Sequence, residues 1–72
     1  MKTYMIVSDM CPKCFRERDL LNNENITVLD INKDDKAIEL VKKTNVSVAP
    51  AVIEEYDDGT YKIYTPYEYK NR

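Results

Sequence analysis

No histidine and no tryptophan occur among the 72 residues, and there is one glycine, at position 59. Without histidine, nucleophilic triads that rely on an imidazole base are excluded. A zinc site made within one chain would have only Cys11, Cys14 and carboxylates to draw on. The sequence has no internal repeat, no low-complexity tract and no linker composition, so residues 1–72 read as one domain. An excess of one charge is also missing. Lys+Arg number 11 and Asp+Glu 13, a net charge of −2 with a pI near 5.0. Nucleic-acid binders normally show a basic surplus, so that class is disfavoured. No stretch approaches the ~18–20 apolar residues of a membrane span. The opening Met1–Val7 is too short an apolar run for a signal peptide. Two cysteines make no disulfide scaffold, and with no signal they favour the cytosol. The expectation is a cytoplasmic chain engaging neither nucleic acid nor membrane.

A core is nonetheless present. Leu, Ile, Val and Phe make about 24% of the chain, above the range of disordered sequences at under ~20%. It must be thin, because chains below roughly 70–80 residues bury little apolar surface. Thr3 to Val7 is β-branched and aromatic and predicts a first strand. Pro12 suits the first turn of a helix that continues through Phe15, Leu20 and Leu21 and is stopped by Asn22–Asn25. Ile26 to Ile31 reads as a second strand. Asn32 or Asp34 can cap a second helix near 34–44, in which Ala37, Ile38, Leu40 and Val41 recur at helical spacing. Ala51-Val52-Ile53 starts a third strand, and Tyr61 to Tyr64 is a fourth. Between them Asp57-Asp58-Gly59-Thr60 predicts a hairpin turn with Asp-Gly at its centre. Thr65-Pro66-Tyr67-Glu68 is a capping box with proline at the first helical position, opening a last helix of about two turns over 66–72. The order is β-α-β-α-β-β with a short terminal α, an α/β architecture.

Cys11-Pro12-Lys13-Cys14 carries the strongest chemical signal. It follows a strand and opens a helix, the setting of a redox pair. A cysteine at a helix N-terminus faces unpaired N–H groups that favour a thiolate, and the thiolate is the form that attacks a disulfide. Lys13 and Arg16 add positive charge nearby. Cys14, one turn on, can attack the resulting mixed disulfide. Cys11 is therefore the candidate nucleophile and Cys14 the resolving thiol. The plainer alternatives are half of a metal site or two inert core thiols.

With this motif, the chain resembles the glutaredoxins and small thioredoxin-like proteins over nearly its whole length. The resemblance is most specific at Cys11-Pro12-Lys13-Cys14-Phe15-Arg16 with Leu20-Leu21, and at Asn45-Val46-Ser47-Val48-Ala49-Pro50. It implies a minimal thioredoxin fold, a mixed four-stranded sheet in the order 2-1-3-4 with helices on both faces. It implies a dithiol–disulfide oxidoreductase with no bound organic cofactor, acting on disulfide-bearing client proteins and expected to be a monomer. Pro50 is by resemblance cis and beside Cys11, and client contacts fall to Pro12, Lys13, Val48, Ala49 and Pro50. A metal or iron–sulfur module shared between two chains, or an interaction domain with little turnover, are the rival readings.

The chain also departs from that family. Glutaredoxins usually carry Tyr where Lys13 stands, a Lys just before the motif where Ser8-Asp9-Met10 stands, and a Gly-Gly-x-Asp segment that is missing here. Thioredoxins carry Trp before the first cysteine and Gly-Pro between the two. The electron donor, glutathione or a thioredoxin-reductase-type flavoenzyme, is thus open. Glu17 stands where the family has a small apolar residue. It reads first as a solvated carboxylate paired with Arg16 or Arg18, and second as a proton acceptor for Cys14. With a shortened last helix, Tyr61, Tyr64, Tyr67 and Tyr69 are expected to help cover one sheet face.

Overall fold

The computed structural model describes residues 1–18, 25–46 and 49–72, the side chains of Lys13, Phe15 and Arg18 aside. The expected continuation of the first helix through Leu20 and Leu21, its stop at Asn22–Asn25 up to Glu24, and Val48 lie outside the described residues. Four strands, β1 (Lys2–Val7), β2 (Thr27–Asp30), β3 (Ala51–Glu55) and β4 (Tyr61–Tyr64), form one sheet in the order β2-β1-β3-β4. β1 runs parallel to β2 and antiparallel to β3, and β4 is antiparallel to β3. Three helices, α1 (Pro12–Arg18), α2 (Asp35–Thr44) and α3 (Pro66–Lys70), complete the chain. No helix among the described residues is long and apolar enough to cross a membrane.

β1 is central, and its side chains alternate between the two faces. Tyr4 and Ile6 join Leu29, Ile53, Ala37 and Leu40 under α2. Met5 and Val7 join Val52, Cys14 and Tyr69 under α1 and α3. Ala37 and Leu40 are three apart, which puts both on the inward stripe of α2. The helix ends at Asn45 in the left-handed region (φ 59°), which asparagine tolerates better than most residues. Asp34 precedes α2 as expected, but its carboxylate does not cap the helix. It accepts instead from the Asp30 backbone N–H at 2.8 Å, tying α2 to the end of β2.

At the hairpin, Gly59 N–H donates to the Tyr56 carbonyl and Tyr56 N–H to the Thr60 carbonyl. Asp57 and Asp58 are therefore the turn centre, one residue earlier than the sequence suggested. Gly59 follows at φ 88°, where glycine is favoured, and makes the loop three residues long. The capping box of α3 forms in both directions. Glu68 N–H donates to Thr65 Oγ1 at 3.1 Å, and Thr65 N–H to Glu68 Oε1 at 2.9 Å. The helix stops at Lys70, short of the two turns expected, where the Asn71 side chain and backbone N–H both donate to the Tyr67 carbonyl.

The tyrosine expectation holds only in part. Tyr69 is buried and Tyr64 meets it edge-on at 5.4 Å between ring centroids, both on the α1/α3 face. Tyr61 packs on the α2 face. It is three residues from Tyr64 on a strand, and an odd separation reverses the face. Tyr67 is exposed.

Candidate functional site

The two cysteines lie where β1 hands over to α1. Ser8 holds this loop in place: its Oγ accepts from Met10 N–H and from Asn32 Nδ2, and its carbonyl accepts Cys11 N–H at 3.2 Å. Pro12 then begins the helix, where its missing N–H costs nothing. Cys11 is half-buried and Cys14 is 2% exposed, and both are free thiols. Cys14 N–H donates to Cys11 Sγ at 3.2 Å, and also to the Cys11 carbonyl at 3.1 Å. The amide that meets the sulfur is one of the orphan donors of a helix start.

Burial, first of all, pushes the Cys14 thiol up to about 11. The hydrogen bond with Cys11 and the charges of Cys11 and Glu17 act in the same direction, against a lowering by the Ser8 backbone. The pair is thus unequal: one sulfur is reachable and receives an N–H, and the other is buried and protonated.

Across from them the Cys11 thiol donates to the Ala49 carbonyl, with 3.8 Å between sulfur and oxygen. The Ala49–Pro50 peptide bond is cis, as the family resemblance implied. Ala49 packs on the cluster that holds Cys14, and Pro50 is buried. The structure therefore brings Cys11, Cys14, Pro12, Ala49 and Pro50 together. Met10, 87% exposed beside the motif, adds an apolar surface at the same edge. Asp9 sits 3.5 Å from Lys33. Its carboxyl is held above the ordinary range by a hydrogen bond with Asp30, whose own carboxyl is held below it by the same contact.

Glu17 departs from the first reading of the sequence. It is 3% exposed rather than solvated, and its Oε2 has no hydrogen-bond partner. The signal was present in the spacing: three residues after Cys14 on a helix is the same inward face. Arg16 is exposed, and with Pro12, Glu17 and Tyr67 it lines a cleft of about 440 Å³ between α1 and α3. A larger cavity, about 520 Å³, opens at the other end of β1 among Met1, Lys2, Thr27 and Tyr69, and neither cysteine lines it. Among the described residues no three Cys, Asp or Glu side chains gather as a metal site.

No protein-family model matches the sequence, and no curated protein matches it. Among solved structures, the chain is similar to a thioredoxin from Thermus thermophilus, determined in solution, with a TM-score of 0.53 at 15% identity. The match covers 85% of this chain and 55% of that one, so the chain spans about half the length of that thioredoxin. At this identity the likeness shows the fold, which is thioredoxin-like.

Proposed function

We propose that this thioredoxin-like chain is a dithiol–disulfide oxidoreductase that reduces disulfides of client proteins. The observation that carries the reading is the unequal pair, a reachable Cys11 sulfur receiving the Cys14 N–H at 3.2 Å above a buried, protonated Cys14. Cys11, as thiolate, attacks one sulfur of the client disulfide. That S–S bond breaks, the second client sulfur leaves as a thiolate and takes a proton, and a mixed disulfide to Cys11 remains. Cys14 then loses its proton and attacks Cys11 Sγ. The client's first sulfur leaves, and a Cys11–Cys14 disulfide forms. Two electrons have passed to the client, and a thiol donor, glutathione or a thioredoxin-reductase-type flavoenzyme, returns them.

Each surrounding residue has a part in this scheme. The Ala49 backbone beside Pro50 offers an edge on which an extended client segment docks as an added strand, with Pro12 beside it; Lys13 and Val48 are assigned to client contact from the sequence alone. Lys13 and Arg16 supply positive charge on the first turns of α1. No bound organic cofactor is required, and a monomer suffices. The cytoplasm, where protein thiols are kept reduced, suits such a reductase.

The test is the reduction potential of the pair, by equilibration in glutathione buffers and thiol labelling. The expected value lies between about −180 and −270 mV, the span of glutaredoxins and thioredoxin. A value below roughly −300 mV marks a structural bridge and overturns the reading. So does a failure to form any intramolecular disulfide.

A further inference from the structure

Glu17 is unfavourable where it stands. A carboxylate oxygen that has left water without gaining a donor costs free energy, and such groups are rare in folded proteins. Glu17 Oε2 is such an atom, in a side chain that is 3% exposed. The residue itself nonetheless lines an open cleft, with Pro12, Arg16 and Tyr67. Pro12 belongs both to this cleft and to the Cys-Pro-Lys-Cys motif. The space is therefore reached from the same edge as Cys11.

We propose that this cleft is a specificity subsite for a lysine or arginine side chain of the client, one residue away from the client's reacting cysteine. The inference rests on the disulfide reductase reading above. Pro12 and Tyr67 give apolar walls for an alkyl stem, and Glu17 gives the acceptor for its charged end. Arg16, on the same cleft, opposes a cation. It is exposed, however, and water screens its charge, whereas the field of a buried carboxylate is screened far less. The balance favours the cation. Occupancy has a second consequence. The Glu17 charge is one of the causes that hold the Cys14 proton on. A client cation against Glu17 offsets that charge, so the client that fits the cleft also eases the resolving step.

The test is reduction by the full chain of three disulfide peptides with lysine, norleucine or glutamate next to the cysteine, placed before it in one set and after it in another. In one set, kcat/KM should fall from lysine to norleucine to glutamate. The step from lysine to norleucine should be about tenfold, the size of one charge-assisted hydrogen bond. In Glu17→Gln the lysine-to-norleucine ratio should fall to within about twofold, the charged acceptor being gone. Glu17→Met serves as a second variant should the first fail to fold. Asp57→Asn removes the same charge from the exposed hairpin at the far end of the sheet, and should keep the ratio. A wild-type ratio below about twofold in both sets, or a ratio that survives in the Glu17 variants, overturns the subsite. If norleucine and lysine peptides alike go unreduced, the reductase reading itself fails, and the subsite with it.

Discussion

The two faces of the sheet are built to different rules. Under α2 the buried cluster is Tyr4, Ile6, Leu29, Ala37, Leu40 and Ile53, with no charged group in it. Under α1 and α3, Met5, Val7, Val52 and Tyr69 share the interior with the Cys14 thiol. Thr3, Glu17 and Glu54, the buried polar residues among those described, all belong to this second face. Glu54 is matched there by the Tyr56 hydroxyl at 2.8 Å, but Glu17 Oε2 is not matched. A chain this short has little stability to spare, roughly 4–11 kcal/mol for its length. That it places unfavourable groups on one face and keeps the other apolar separates holding the fold from doing chemistry.

The sharpest way to break that contrast is to empty the α2 face. Leu40 is fully buried, and Leu40→Ala should cost about 2–5 kcal/mol in equilibrium denaturation. The reduction potential of the cysteine pair should hardly move under conditions where the variant is folded. A neutral Leu40→Ala would mean that the α2 face is not the one holding the fold.

Alkaline pH acts on the other face. The Cys14 thiol is raised from an ordinary 9.0 to about 11, so between those values the folded chain binds more proton than the unfolded one. Its contribution is fully present below pH 9 and is lost as pH rises toward 11. The loss is about 2–3 kcal/mol at 1.36 kcal/mol per unit. Tyr56, raised to about 12 by its hydrogen bond to Glu54, adds loss in the same direction at higher pH. Cys14→Ser should abolish the first part and leave the second. Denaturation curves from pH 8 to 11 that coincide for the two proteins would refute the cause given for the shift.

Glu17→Met gives the smallest effect, and with the opposite sign. Removing an unmatched buried carboxylate should raise stability by about 1–3 kcal/mol. A loss of stability would show that Glu17 is matched in solution.

The same contrast explains what the sequence made legible. The succession of elements along the chain, the helix spacing and the capping box of Thr65 and Glu68 follow from local rules, the sheet order 2-1-3-4 follows from the family resemblance, and the cysteine motif announces its own chemistry. The α2 face was readable because Ala37 and Leu40 are apolar at helical spacing. The α1/α3 face was less so. At Glu17 residue type and position disagree: a charged side chain favours solvent, whereas its spacing from Cys14 on α1 turns it inward. Tyr61 lies on the α2 face, opposite Tyr64, because the odd separation of the two along β4 outweighs their shared residue type. Asp34 was expected to cap a helix and instead holds the end of β2, since a carboxylate competing for two backbone N–H groups is settled by tertiary geometry. The facing of Cys11 toward Ala49 joins residues 38 positions apart, and no local rule encodes it.

The most direct test of unequal roles for the two thiols is mass spectrometry of single-cysteine variants mixed with a disulfide peptide. Cys14→Ser should accumulate a mixed disulfide through Cys11 and stop there. Cys11→Ser should form none at neutral pH, because its remaining thiol is buried and protonated. A mixed disulfide through Cys14 forming as fast as the one through Cys11 would contradict the account.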